Sequence, residues 1–419
     1  MSKKTLAILV FIVFFFIYYI GSFSKIAFGD CIGFVLDAEK REFLTIATPL
    51  AHFLYVNTAV FFTKFLNFDS VSVMRFMSII PAAFTASALF YLIKEFIEEN
   101  WIAVTSVFVF GLGFTFWRSA ETVEVYTFNA LWVILFFIYA IKSLKSNSQK
   151  HIVAVGILLS ISFWVHIQNI MLIPAYLVFL YLLKSERRSI ILSFISFIFI
   201  FSLMFYTNHL NNIELKYTFT SNDGPWVQDT LQQSFSDLVK DVVKSLLFLI
   251  YNFNVFIVFA IFGMIHLFKN NKKSFLFFSI ASVFTLGFAT FYAVSDNYVF
   301  FISFYLIFTV FIALGIKQLS SRYDLKKLIF APLLIPFIYI LSLYIVSSIP
   351  QGKKFHQEKL YKGGLSYYML PWLTHNIGCI EFTLDKVKCE DNVVALIEQS
   401  KEFIKLRLKY QPLSEIRKL

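Results

Sequence analysis

Long stretches without Asp, Glu, Lys or Arg recur in this chain, among them residues 5–24, 76–93, 101–117, 125–141, 189–205, 245–265, 274–294, 298–316 and 328–349. A helix that crosses a bilayer needs roughly 20 mostly apolar residues, within a range of about 17–25. Uncharged runs of that length recurring through one chain predict an all-α, polytopic membrane protein. A transmembrane β-barrel would alternate polar and apolar residues in segments of about ten, and these runs do not alternate. Composition agrees: 58% of residues are hydrophobic and 15% charged, where a soluble domain is about half apolar and a quarter charged. The 55 phenylalanines read as lipid-facing bulk.

The formal net charge of +11 invites a nucleic-acid reading, but the placement of the charges excludes it. Lys and Arg cluster in short loops at 142–150, 184–188, 269–273 and 317–327, the pattern of cytoplasmic loops. Lys3 and Lys4 precede the first run and place the N-terminus in the cytoplasm. No A-x-A-like site follows that run, so it reads as a retained helix rather than a cleaved signal.

Keeping all these loops on one side requires an even number of crossings between each pair. The uncharged stretch 152–183 must then hold two short helices joined near residues 166–169. The count becomes about eleven transmembrane helices, N-terminus in and C-terminus out. The outer face receives a long first loop (25–70), a second at 118–124, a polar loop at 207–244 and a tail. The expected division is a transmembrane domain, 1–349, and a small extracytoplasmic segment, 350–419. One loop resists: residues 94–100 carry three Glu against one Lys.

Carboxylates at a membrane boundary are costly unless water or a partner reaches them, so they are functional candidates. Asp30 lies a few residues beyond the first run. The stretch 49–68 is apolar but interrupted by His52, Asn57, Thr63 and Lys64. It reads as a helix lying in the interface that would hold Asp30 at the membrane surface. Such an aspartate can cap a helix, act as a general base toward a hydroxyl, or hold a metal. Arg118, Glu121 and Glu124 sit where one run ends and the next begins. In a continuous helix Glu121 and Glu124 would share a face, and Arg118 would pair with them or grip a phosphate. His166, Gln168 and Asn169 occupy the turn between the two short helices. Arms of about 14 residues reach about 21 Å, less than the roughly 30 Å hydrocarbon core. The turn should therefore be recessed, lining a cavity. Asp296 and Asn297 form a tight outer turn, good turn chemistry in its own right. Cys31, Cys379 and Cys389 all fall on the outer side. Cys379 and Cys389 read equally as a disulfide or as two unrelated thiols. No C-x-x-C or H-E-x-x-H metal spacing occurs.

Several of these segments resemble one known group. Gly29–Asp30 followed by ATPLAHFLYV, then FWRSAETVEVYTFNAL, WVHIQNIMLIPAY, DNYVFFISFYLIFTVFIALGI and KGGLSYYMLPWLTHNIGCIEF are similar to the DUF2723 group. That group is related to protein O-mannosyltransferases, within the GT-C superfamily of lipid-dependent glycosyltransferases. The EVYT segment is the most specific. The chain departs from the pattern after Asp30, where Cys31–Ile32–Gly33–Phe34 follows and no second acid stands beside the aspartate. The resemblance implies a GT-C-like bundle with interfacial helices in the first outer loop. It implies transfer of a sugar from a polyprenyl phosphate or pyrophosphate carrier to a hydroxyl of a protein or glycan, with inversion. It assigns Asp30 as base, Glu124 as supporting acid, and Arg118 and His166 as contacts to the carrier phosphate. Glu121, His52, Gln168, Asn169 and Asp296 would support them. The cofactor expectation is none, or a divalent cation such as Mg or Mn. Partners are the lipid-linked donor, the acceptor and membrane lipids, with no nucleic acid. The expected location is a bacterial inner membrane, with the site on the extracytoplasmic side. The competing readings are a flippase, transporter or polymerase of lipid-linked glycans, and a non-catalytic scaffold of the same fold.

Overall fold

The computed structural model describes residues 2–22, 25–220, 226–294, 297–373 and 376–419. Among them there are helices and no strands. Helix α1 (Lys3–Gly21) leads into the first outer loop, which carries α2 (Cys31–Lys40) and α3 (Phe53–Phe65). Then come α4 (Ser70–Ile93), α5 (Asn100–Gly111), α6 (Phe114–Glu121), α7 (Tyr126–Ser146), α8 (Gln149–Val165), α9 (Ile173–Leu182) and α10 (Arg187–Leu210). After the short α11 (Trp226–Leu231) follow α12 (Phe235–Phe253), α13 (Ile257–Asn270), α14 (Lys272–Phe291), α15 (Ile302–Ser320) and α16 (Ile335–Ser348). The tail holds α17 (Pro350–Glu358), α18 (Gly364–Met369), α19 (Cys379–Leu384), α20 (Val394–Arg407) and α21 (Leu413–Ile416). Side chains mark several starts: Ser2, Asp69, Ser234 and Asn271 each accept from a backbone N–H two or three positions into the next helix.

This is an integral, multi-pass membrane fold. Among the described residues eight helices are long and apolar enough to cross a bilayer, and the pair α5–α6, bent by 64°, passes the same test only when taken together. The break falls at residues 112–113, where Gly113 gives up its N–H to Phe110 O at 3.0 Å. The two short helices expected within 152–183 are present, as α8 and as Ile167–Leu182, whose first turn is 3₁₀. Neither reaches full spanning length, so eleven helical elements occur but not eleven full spans. The loop expected at 207–244 is also shorter than read. From Phe235 to Asn270 the chain runs helical for 36 residues, or about 54 Å at 1.5 Å per residue. That exceeds a bilayer with headgroups, about 40–45 Å, so the first turns of α12 project beyond it.

Burial orders the bundle. The stretch Asn297–Ser320 is the most buried of these spans and forms the hub, whereas α1, α10 and Lys326–Ser348 show most of their surface to lipid. The anomalous acidic loop 94–100 finds its explanation on one face. Glu95 bridges Lys3 and Lys145, each at 3.4 Å, and Glu99 pairs with Lys317. The acids join the N-terminus, the 142–150 loop and the 317–327 loop on the same side, as the parity argument required.

On the opposite face a second apolar cluster unites the first outer loop, the EVYT segment and the tail. Ile32, Val35, Tyr55, Val123, Val125, Tyr367, Phe382 and Phe403 all contribute. Residues 350–419 therefore share a core with the loop they cover. Arg407 of α20, almost fully buried, reaches Glu39 at 3.0 Å, Asp69 at 2.7 Å and Ser70 Oγ at 2.7 Å. The three cysteines are free thiols, so no disulfide joins Cys379 to Cys389.

Candidate active site

Gly29 takes φ +110°, a left-handed conformation natural to glycine. The turn aims the chain so that Asp30 precedes α2 without capping it: its side chain makes no cap hydrogen bond. The carboxylate also has no ion pair or side-chain hydrogen bond. It is open to solvent on one side, yet enough protein surrounds it that desolvation raises its carboxyl above the ordinary aspartate value. The helix-cap reading of Asp30 is thereby excluded.

The second acid comes to the same place. A Cβ on Gly29 would lie 3.5 Å from Glu124 Oε1, and the Cys31 thiol donates to that oxygen at 3.6 Å. The tail fixes the Asp30 loop from above. Cys379 N–H donates to Ile26 O at 2.9 Å, the Tyr367 hydroxyl to Phe28 O at 3.3 Å, and Asn376 Nδ2 to Lys25 O at 3.4 Å.

Glu121 and Glu124 do not share a helical face. Helix α6 ends at Glu121, Thr122 turns extended (ψ 148°), and α7 begins only at Tyr126. The break sends the two acids apart. Glu121 is buried toward α1: the Trp117 indole donates to Oε1 at 2.8 Å, while Oε2 is buried without a partner. Only glycine fits opposite, because a Cβ at position 21 would lie 2.4 Å from Glu121 Oε1. Gly21→Ala should dislodge Glu121 from Trp117 and cost about 1–3 kcal/mol. A thermal melt of the purified variant checks this, and an unchanged midpoint counts against it.

Arg118 is 5% exposed. Its guanidinium stacks on the Tyr367 ring, 4.5 Å from the centroid, and Nη1 donates to Leu370 O at 3.3 Å. Among the described residues no carboxylate lies within ion-pair distance of it. Beside it opens an apolar groove of about 650 Å³, lined by Ile12, Phe16, Ile20 and Gly21 of α1 and by Trp117 and Trp372. The two indoles pack 5.3 Å apart. Trp372, Tyr367 and Gly21 did not stand out in the sequence as site residues; the only signal was that the first two lie in the KGGLSYYMLPW stretch.

His166 joins a different group. Its ring packs 4.9 Å from that of His52 and also touches Tyr126 and Phe300. Its Nδ1 accepts from Gln168 N–H at 3.2 Å, and His52 Nδ1 donates to Val165 O at 3.2 Å. No hydrogen bond or ring contact links His166 to Arg118. Burial lowers the His52 imidazole to about 4. Gln168 and Asn169 are buried in the turn, where packing leaves only about 10 Å³ of space rather than the expected cavity. Asn169 Nδ2 donates to Asn129 Oδ1 at 2.6 Å and to Ser162 O at 2.9 Å. The structure brings together Asp30, Glu124 and Cys31. It sets Arg118 against Tyr367 and Leu370, Glu121 behind Gly21 and Trp117, and His52 with His166, Gln168 and Asn169 at the turn. Asp296 lies outside the described residues.

Carboxylates such as Asp30 and Glu124 suit Mg or Mn. Among the described residues, however, no three His, Cys, Asp or Glu side chains converge as a ligand set.

Residues 41–189 match the family model of the protein O-mannosyl-transferase TMEM260 N-terminal domain. The match covers His52, Arg118, Glu121, Glu124, His166, Gln168 and Asn169, and begins after Asp30. The solved structure of ArnT from Cupriavidus metallidurans bound to undecaprenyl phosphate is similar over 100% of this chain and 77% of that one, with a TM-score of 0.62 and 10% identity. The apo structure of the same protein gives a TM-score of 0.58 and 9% identity over the same shares. These likenesses show a GT-C-type fold. No curated protein is similar enough in sequence to count as a relative.

Proposed function

We propose that this chain is a membrane glycosyltransferase that takes a sugar from a polyprenyl-phosphate carrier and places it on an acceptor hydroxyl at the extracytoplasmic face. The observation that carries the reading is an Asp30 without an ion pair or side-chain hydrogen bond beside Glu124, together with a buried Arg118 that makes no ion pair among the described residues. The likeness to ArnT, whose structure was solved with undecaprenyl phosphate, supports a polyprenyl-phosphate donor, and the match to the TMEM260 domain supports O-linked transfer.

The chemistry follows from the placement. Asp30 takes the proton of the acceptor hydroxyl, and the oxygen attacks the anomeric carbon of the donor sugar. The bond from that carbon to the phosphate oxygen breaks, and its electron pair leaves with the phosphate. Inversion follows from attack opposite the leaving group. Arg118 meets the charge that grows on the leaving phosphate, a role suited to a planar, permanently charged guanidinium. The groove along α1 holds the start of the isoprenoid tail, since its walls are apolar and open toward lipid. Glu124 orients the acceptor beside Asp30. No step here is routed through a metal ion.

His166 serves this scheme as a structural member of the turn rather than as a phosphate contact, because its ring is enclosed by His52, Tyr126 and Phe300. Arg118→Gln should weaken binding of undecaprenyl phosphate by about 10–100-fold, the value of hydrogen bonds to a charged group. Arg118→Lys should recover only part of it. Titration of each variant in nanodiscs measures both, and an unchanged affinity in Arg118→Gln would remove the phosphate assignment.

A further inference from the structure

Arg75 is the one charged side chain in α4, and it makes no ion pair among the described residues. An ionisable residue within a membrane span is a functional candidate by default, to be explained by naming what pairs with it. Arg75 lies in the second turn of α4, about 7–8 Å from its start at Ser70 by the helical rise. That is the outer end of the span, level with the last turn of α1. The guanidinium lies over the Tyr19 ring, 5.4 Å from its centroid. Nη2 donates to Ser22 Oγ and, at 3.4 Å, to Tyr19 O. Both acceptors are neutral. Nε is buried without a partner, and Nη1 makes no hydrogen bond among the described residues. Glu121, packed against Gly21, feels the Arg75 charge but is bonded instead by Trp117.

Below the guanidinium an aromatic strip runs along α1 and α4 toward the middle of the bilayer. Tyr19 stacks on Phe76 at 6.1 Å, Phe76 on Phe15 at 6.5 Å, and farther down Phe84 packs on Phe11 at 4.5 Å. Tyr19, Phe76, Ile80 and Phe84 are all exposed, and on membrane spans that surface meets lipid. A cation at the boundary above an apolar strip matches one ligand chemistry, an anionic head on a hydrocarbon chain. We infer that Arg75 binds the phosphate of an outer-leaflet lipid whose chain lies along Tyr19, Phe76, Ile80 and Phe84. The phosphate belongs either to a bilayer phospholipid or to a polyprenyl carrier. The site is distinct from Arg118, which stacks on Tyr367, and the inference holds whether or not Asp30 is a base.

The competing account is that Arg75 only closes the end of α1, where a cation is favourable in its own right. Native mass spectrometry of the purified full chain in detergent separates the two. Wild type, Arg75→Gln and Arg75→Lys are titrated with dioleoylphosphatidylglycerol, with undecaprenyl phosphate and, as a phosphate-free control, with dioleoylglycerol; thermal midpoints are taken alongside. Arg75→Gln should weaken a phosphate lipid about tenfold, the value of bonds to a charged group, and leave dioleoylglycerol unchanged. Arg75→Lys should recover part of the loss, and it reads the same difference if the Gln variant folds poorly. A loss confined to phosphatidylglycerol identifies the bilayer as the source, and one confined to undecaprenyl phosphate identifies the carrier. Unchanged affinity for both phosphates in Arg75→Gln, whatever the midpoint, overturns the site, as does an equal loss for all three lipids.

Discussion

Replacing Asp30 by Asn is expected to lower sugar transfer by about 10²–10⁴-fold, the range for loss of a positioned general base, while the chain still folds and inserts. The amide is the same size and cannot take a proton. Nothing in the fold depends on the charge, because the carboxylate caps no helix and pairs with no cation. The sign of the stability effect follows from the partial desolvation of the carboxyl. Folding raises the Asp30 carboxyl above its unfolded value, so at neutral pH the ionised form is disfavoured by folding. Exchange for a neutral amide should leave the midpoint unchanged or raise it. The pH profile of the wild type follows from the same direction. The base works when deprotonated, so activity falls as pH drops through the raised value, and the acid limb should sit above the ordinary aspartate range. An Asp30→Asn variant that is well inserted and fully active would instead favour a scaffold that keeps the fold without the chemistry.

Arg407→Ala is expected to destabilise the outer cluster by about 3–5 kcal/mol, the usual cost of removing one partner from a buried charge pair. The guanidinium serves Glu39, Asp69 and Ser70 at once, and Ser70 Oγ donates to Glu39 at 2.6 Å. Without it Glu39, only 8% exposed at its side chain, keeps a charge with little water. Asp69 is 43% exposed and loses less, which places the effect toward the lower end. The consequence reaches the site, because α20 holds the tail whose Cys379, Tyr367 and Asn376 fix the backbone at Ile26, Phe28 and Lys25. Transfer should therefore fall along with the thermal midpoint, and Arg407→Lys should restore part of both. A midpoint equal to that of wild type would show that the Arg407 cluster does not hold the tail.

The fold was legible where physics acts through one residue type at a time. Uncharged runs located the crossings, and basic loops set their parity strictly enough to divide 152–183 into two short helices. What the sequence hid depended on partners distant in the chain. The acids of 94–100 looked misplaced until Lys3, Lys145 and Lys317 met them. The break after Glu121 falls in the outer loop expected at 118–124, but it carries no proline, only a Thr whose hydroxyl donates back to Arg118 O at 3.0 Å, so the residue types did not show that the two acids would part. His166 and Arg118 both looked like phosphate contacts because each is a nitrogen base at an outer turn; only packing separates them.

The account meets its most direct test in a cryo-electron microscopy map of the full chain in nanodiscs with undecaprenyl phosphate. The predicted map places the phosphate within hydrogen-bond reach of the Arg118 guanidinium, on the side open to Asp30, with the first isoprene units along Ile12, Phe16 and Ile20 of α1 beside Trp117 and Trp372. A phosphate bound on the Lys3–Glu95–Lys145 face, or one that leaves Arg118 untouched, would contradict it.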